Sequence, residues 1–310
     1  MAAKVESMFY VREVPWHGLG TNVAQALSAE EALVAAGLDW EVVQKKIYTE
    51  DKDCISGYYA NVRNSDQKVL GVVTERYRIV QNREAFAFTD ELLGKGVRYE
   101  TAGSLKEGRK TWMLARLPKP YRLMEDKVIP YLVFSNSHDG SGAVKVAMTP
   151  IRVVCNNTLN LALRTADRIW SAKHTGDMDS KLEDAKMTLF LAEDYMEELA
   201  KESLRLGKQK VSDVEVEEYI KMLLPIATNA TEITEKNIQR LRTDLKKRYY
   251  EAPDLRELGK NGYRFLNAVS DFATHAQPLR KTAGYQENLF LKTMDGNPLI
   301  DKAFQLLKAA

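Results

Sequence analysis

The chain has 310 residues, 45% hydrophobic and 28% charged, with a formal net charge of +2. This is the composition of an ordinary globular protein with room for one large core or two domains, which excludes a disordered or collagen-like chain. No apolar run nears the roughly 18 residues of a membrane span, MAAKVESMFY lacks a secretory core, and two cysteines cannot form a disulfide framework. A cytoplasmic protein without membrane contact is expected, and no cofactor or metal site is implied by its four scattered histidines.

Ser28-Ala-Glu-Glu31 is a capping box that opens a helix, and Gly37 closes it. Strand-like runs follow at Trp40 to Tyr48, Ile55 to Arg63, Val69 to Thr74 and Arg76 to Gln81, with Asn64-Ser65-Asp66 turning the second into the third. A helix from Arg83 to Leu93 stops at Gly94. Two hairpins come next: Val97 to Ser104 with Lys110 to Leu117, joined through Lys106-Glu107-Gly108, and Val128 to Asn136 with Ala143 to Met148, turning at Asp139-Gly140-Ser141-Gly142.

The step Thr149-Pro150 has the chemistry of a helix start, a hydroxyl cap before a proline that needs no N–H donor. A helix from that point puts Ile151, Cys155, Leu159 and Ala162 on an apolar stripe. Arg152, Asn156, Asn160 and Arg164 recur every fourth residue on a polar one. Such a stripe either tracks phosphates and base edges or is a solvated face.

Beyond Thr175 the apolar spacing turns helical. Asp179 or Ser180 caps a helix whose Leu182, Ala185, Leu189, Ala192, Met196 and Leu199 form a heptad seam, interrupted at Gly207. Val214 to Leu224, Thr234 to Tyr250, Gly262 to His275 and Leu299 to Lys308 read as further helices. The fold class is therefore α+β: an antiparallel β meander and hairpins with helices over residues 1–175, then a mainly helical domain over 176–310.

Charge follows the same division. Thr101 to Thr175 holds 12 Lys+Arg against 5 Asp+Glu, a net of +7, and Gly176 to Glu235 holds 7 against 15, a net of −8. Either these are two solvated faces that dock on each other, or the basic segment is a polyanion site.

Trp16-His17-Gly18-Leu19-Gly20, YRIVQN at Tyr77 to Asn82, SHDGS from Ser137, TPIRVVCNNTL from Thr149 and Lys173-His174-Thr175 together resemble the bacterial phage/plasmid-like protein family of unknown function, over nearly the whole chain. That resemblance implies a protein of mobile elements used near DNA replication or recombination. The order of elements, a meander and hairpin leading into a basic helix, is also similar to ring-forming single-strand annealing proteins of the Rad-fifty-two type. What this implies is a homo-oligomer that binds single-stranded DNA, with host or phage recombination and replication proteins as further partners. Arg109, Lys110, Arg116, Lys145, Arg152, Arg164, Arg168 and Lys173 would contact phosphates and Asn156 and Asn160 would lie on the same stripe, while Tyr77, Tyr99, Trp112 and Tyr121 would stack bases.

The alternatives are an enzyme and an interaction protein. Cys155, His138 and Asn156 or Asn157 supply the residue types of a thiol nucleophile, base and orienting amide. Against this, Cys155 falls on the apolar stripe and His138, before an Asp-Gly turn, is expected at the surface. No Walker motif or dinucleotide fingerprint is present, so no catalytic residue is assigned. The heptad-patterned helix would serve an interaction protein in binding a host factor.

Overall fold

The computed structural model describes residues 5–11, 21–25, 27–93, 98–117, 119–124, 126–152, 169–277 and 296–309. By contact the chain forms two compact units, the first made of residues 1–118, 131–148 and 167–192 and the second of residues 119–130, 149–166 and 193–310. The sequence places one boundary after Thr175, whereas the chain passes between these units several times.

Unit 1 is built on a large sheet whose strands run in the order β11-β10-β9-β7-β6-β1-β2. These are β1 (Val5–Val11), β2 (Thr21–Val23), β6 (Arg98–Leu105), β7 (Lys110–Arg116), β9 (Asp126–Ser137), β10 (Val144–Arg152) and β11 (Ile169–Ala172). Period-2 alternation sorts its side chains between two faces. Phe9 pairs with Ala102, Ala102 with Met113 and Met113 with Phe134, so one buried row crosses four strands. On this row pack α1 (Ala29–Ala35), α2 (Asn82–Leu93) and the first turns of α3 (Met178–Lys208), through Leu33, Phe86, Met178 and Ala185. The capping box is present, Ser28 N–H donating to Glu31 Oε2 at 3.0 Å, and Gly37 ends the first helix in the left-handed region at φ +61°.

A second, three-stranded sheet in unit 1 orders β3 (Val42–Tyr48), β4 (Cys54–Arg63) and β5 (Val69–Thr74). Arg76 to Gln81 does not extend it. That segment is irregular because the Gln81 side chain completes the hydrogen bonding of β3, accepting from Val42 N–H at 2.9 Å and donating to Val42 C=O at 2.8 Å. The outer face of this sheet leaves Val43, Tyr58, Val69 and Val72 exposed.

The structure corrects the reading of Thr149-Pro150. No helix begins there: β10 runs on through Arg152. Its ladder with β11 ends at Ala147 opposite Ile169, so Pro150 lies beyond the pairs that would demand an N–H on that side. Residues 153–168, with the expected stripe and Cys155, lie outside the described residues.

In unit 2, β8 (Tyr121–Leu123) pairs with the first residues of β9. The helices are the remainder of α3, α4 (Asp213–Leu223), α5 (Glu232–Glu251), α6 (Pro253–Arg256), α7 (Gly262–His275) and α8 (Pro298–Ala309). Ser212 with Glu215 caps α4, Thr231 caps α5 and Asn261 caps α7. Nearly all of α7 is buried, and its Arg264 donates to the carbonyl of Tyr249 while lying 4.7 Å over that tyrosine's ring. As the sequence suggests, α3 stops at Lys208, one residue past Gly207. Gly207 faces the flexible end of Met124.

Two glycines therefore respond differently to a methyl group. A Cβ at Gly71 would stand 2.6 Å from Asp139 Cα and 2.8 Å from its carbonyl oxygen, which are backbone atoms, whereas at Gly207 it meets only the Met124 thioether. Gly71→Ala should lower unfolding free energy by about 2 kcal/mol. Gly207→Ala should stay within about 1 kcal/mol of the parent, since a helical alanine offsets the side-chain shift. Chemical denaturation of the two variants checks both.

Candidate functional site

The expected nucleic-acid residues divide into three groups. Lys110, Arg116 and Lys145 are on strands of the large sheet, on the face opposite the Met113 and Val144 row. The registry follows from alternation: Met113 and Ala115 face the core, so Lys110, Trp112, Leu114 and Arg116 face away, and Lys145 does so between buried Val144 and Val146. Arg109, in the turn before β7, and Lys173, after β11, are exposed at the borders. Arg116 lies 4.0 Å from Glu100, which tempers its charge. In unit 2, Tyr121 is half-buried under the Lys119 ammonium at 5.2 Å.

A second group is corrected. Tyr77, Tyr99 and Trp112 are buried and offer no open stacking face. Tyr99 packs on Phe86 and donates its hydroxyl to Asp90 at 2.9 Å. The apolar area of these rings is worth more inside than exposed, and the two tyrosine hydroxyls find partners there. The third group, Asn156, Asn160, Arg164 and Arg168, lies outside the described residues, as does the side chain of Arg152.

The densest polar chemistry is elsewhere, around the turn that follows β9. His138 is not at the surface: it is fully enclosed, its carbonyl accepting from Asn61 Nδ2 at 2.7 Å and its Nε2 lying 3.0 Å from Asn82 Oδ1. Tyr77 donates to the Ser137 carbonyl and stacks on His174, with centroids 4.5 Å apart. His174 is itself buried, and its Nδ1 is 2.9 Å from the Arg78 carbonyl. Asp139 Oδ1 accepts from Ser137 Oγ at 2.6 Å and from Ser141 N–H at 2.9 Å, which shapes the turn.

A stack of side chains leads to this site. Arg63, buried, donates to both oxygens of Glu6 at 2.8 Å and to Asp66, and lies 5.3 Å over Trp40. Trp40 in turn meets His138 edge-on at 5.4 Å. The Arg63 hydrogen bonds hold the Asp66 carboxyl down at about 2. Burial pushes His138 down to about 3 and lowers His174, so both rings are neutral at pH 7.

Asn61, Arg63, Trp40 and Asn82 belong to no motif that marks them as site residues. The sequence carries only a weak signal for them: Tyr59, Asn61 and Arg63 alternate on one face of a strand whose position demands burial, and buried polar side chains in a strand are there for a partner.

A family model described as "Domain of unknown function (DUF932)" matches residues 69–293, more than half of the chain. No curated protein and no solved structure matches. Of the cluster, Tyr77, Asn82, His138 and His174 fall inside the matched range.

Tyr77→Phe removes one hydroxyl and leaves the stack on His174. It should lower stability by about 1 kcal/mol, the net worth of a buried hydrogen bond. Because the ring is enclosed, single-strand affinity should not change, and denaturation with a parallel binding titration measures both.

Proposed function

For a chain that belongs to the DUF932 family, a domain of unknown function, we propose that it binds single-stranded DNA without catalysis, as a homo-oligomer of a mobile element working in strand annealing, recombination or replication. The observation that carries this reading is the shared face of Lys110, Arg116 and Lys145 on one sheet, with Arg109 and Lys173 exposed at its borders. Several cations on one sheet face offer a phosphate backbone more than one contact.

The enzyme alternative has less support. His138 is enclosed, its protonated form is disfavoured by burial, and one ring nitrogen is engaged by Asn82. A general base must reach the proton it abstracts. On this reading Tyr77, Tyr99 and Trp112, being buried, take no part in base stacking. Among the described residues no helix is long and apolar enough to cross a membrane.

Binding of a fluorescent single-stranded oligonucleotide across a salt series tests the proposal. Affinity should fall with salt, and Lys110→Ala with Lys145→Ala should reduce the slope by about 0.7 for each phosphate that is no longer neutralised. An unchanged slope and affinity in the double variant would remove the assigned surface.

A further inference from the structure

Three side-chain atoms of unit 1 are enclosed and have no hydrogen-bond partner: Nδ1 of His138, Nε2 of His174 and Oδ1 of Asn61. The residues that carry them are 0%, 3% and 0% exposed. The partner at the other end of each group fixes what these atoms are. Asn82 Nδ2 donates to the Leu38 carbonyl at 3.1 Å, so Asn82 Oδ1 is an acceptor and His138 Nε2 carries the hydrogen. His174 Nδ1 faces a carbonyl, which can only accept, so that nitrogen is the protonated one. Asn61 Nδ2 is used on the His138 carbonyl, leaving its oxygen.

All three atoms are therefore lone pairs, and none is an N–H or O–H. They complement a species that accepts electron pairs and offers none. The three groups are linked through a few contacts: Asn61 touches His138 itself, and Tyr77 bridges His174 and Ser137.

We propose that unit 1 binds a divalent transition-metal ion of the imidazole-seeking class, such as Zn2+, through His138 Nδ1 and His174 Nε2, with Asn61 Oδ1 as the third ligand. Imidazole donors select this class over Ca2+ and Mg2+, which prefer all-oxygen shells, and the absence of a cysteine from the trio disfavours Cu(I). Each histidine also has the outer partner typical of a ligating imidazole, a carbonyl or amide oxygen holding the opposite N–H and fixing the tautomer. Among the described residues no group of three or more His, Cys, Asp or Glu is placed to hold a metal. The third donor here is accordingly a neutral amide, so affinity should be below that of thiolate sites.

The test uses the full chain stripped with a chelator and titrated with Zn2+ by calorimetry, with imidazole 15N spectra recorded in parallel. Expected are one Zn2+ per chain at this site and a shift of the unprotonated nitrogens of His138 and His174. His174→Gln and His138→Gln should each weaken that binding at least about tenfold, the scale on which even outer-shell losses act. Zn2+ affinity unchanged in both histidine variants overturns the proposal. So do 15N signals in the unmodified chain that do not move with excess Zn2+, a readout that survives if a variant fails to fold. Crystals grown in Zn2+ that hold only water at the three atoms give the same negative answer.

Discussion

The turn after β9 is held by side chains rather than by a ladder. Two successive carbonyls, those of Ser137 and His138, accept from Tyr77 and Asn61, and the His138 N–H donates to the Arg109 carbonyl at 2.7 Å. Each of these bonds is made inside the protein, where an unpaired backbone group would cost about 1–3 kcal/mol. Satisfying them requires β4, the segment around Tyr77 and the turn before β7 to meet at one place. The arrangement of unit 1 follows from that demand.

Close approach is the steric side of the same constraint. The turn comes so near β5 that position 71 has room for glycine alone, and Gly140 uses a positive φ of +75° beside Val73. Aromatic and cationic groups then fill the adjoining space in sequence: Arg63 over Trp40, Trp40 edge-on to His138. Arg63 keeps its charge within the protein because Glu6 and Asp66 supply paired oxygens in the plane of its guanidinium. A lysine there would present the wrong geometry.

Polar chemistry in this chain is thus of two kinds. Lys110, Arg116 and Lys145 stand on the sheet face opposite the Met113 row, half-buried, where cations keep partial access to water. The histidines and asparagines around the turn are enclosed and neutral, and they serve close donor and acceptor matching.

Secondary structure and its class were legible in the sequence, because local rules decide them. The capping box at Ser28, the β6–β7 hairpin, the neighbouring pair β9 and β10, and the helices at Asp213–Leu223, Glu232–Glu251, Gly262–His275 and Pro298–Ala309 follow from periodicity and end chemistry. Tertiary structure overruled those rules at two points, continuing β10 through Pro150 and leaving Arg76 to Gln81 out of the sheet, where a glutamine side chain supplied what a strand would. It also decided burial. The rings of Tyr77, Tyr99 and Trp112 and the imidazole of His138 have no local pattern that says inside, because the partners enclosing them come from distant parts of the chain. The sequence by itself determined the main helices and central strands and where charge accumulates; only the packed structure supplied β1, β2, β8 and β11 and decided which polar groups meet, since pairing and hydrogen-bond matching between remote segments have no period to read.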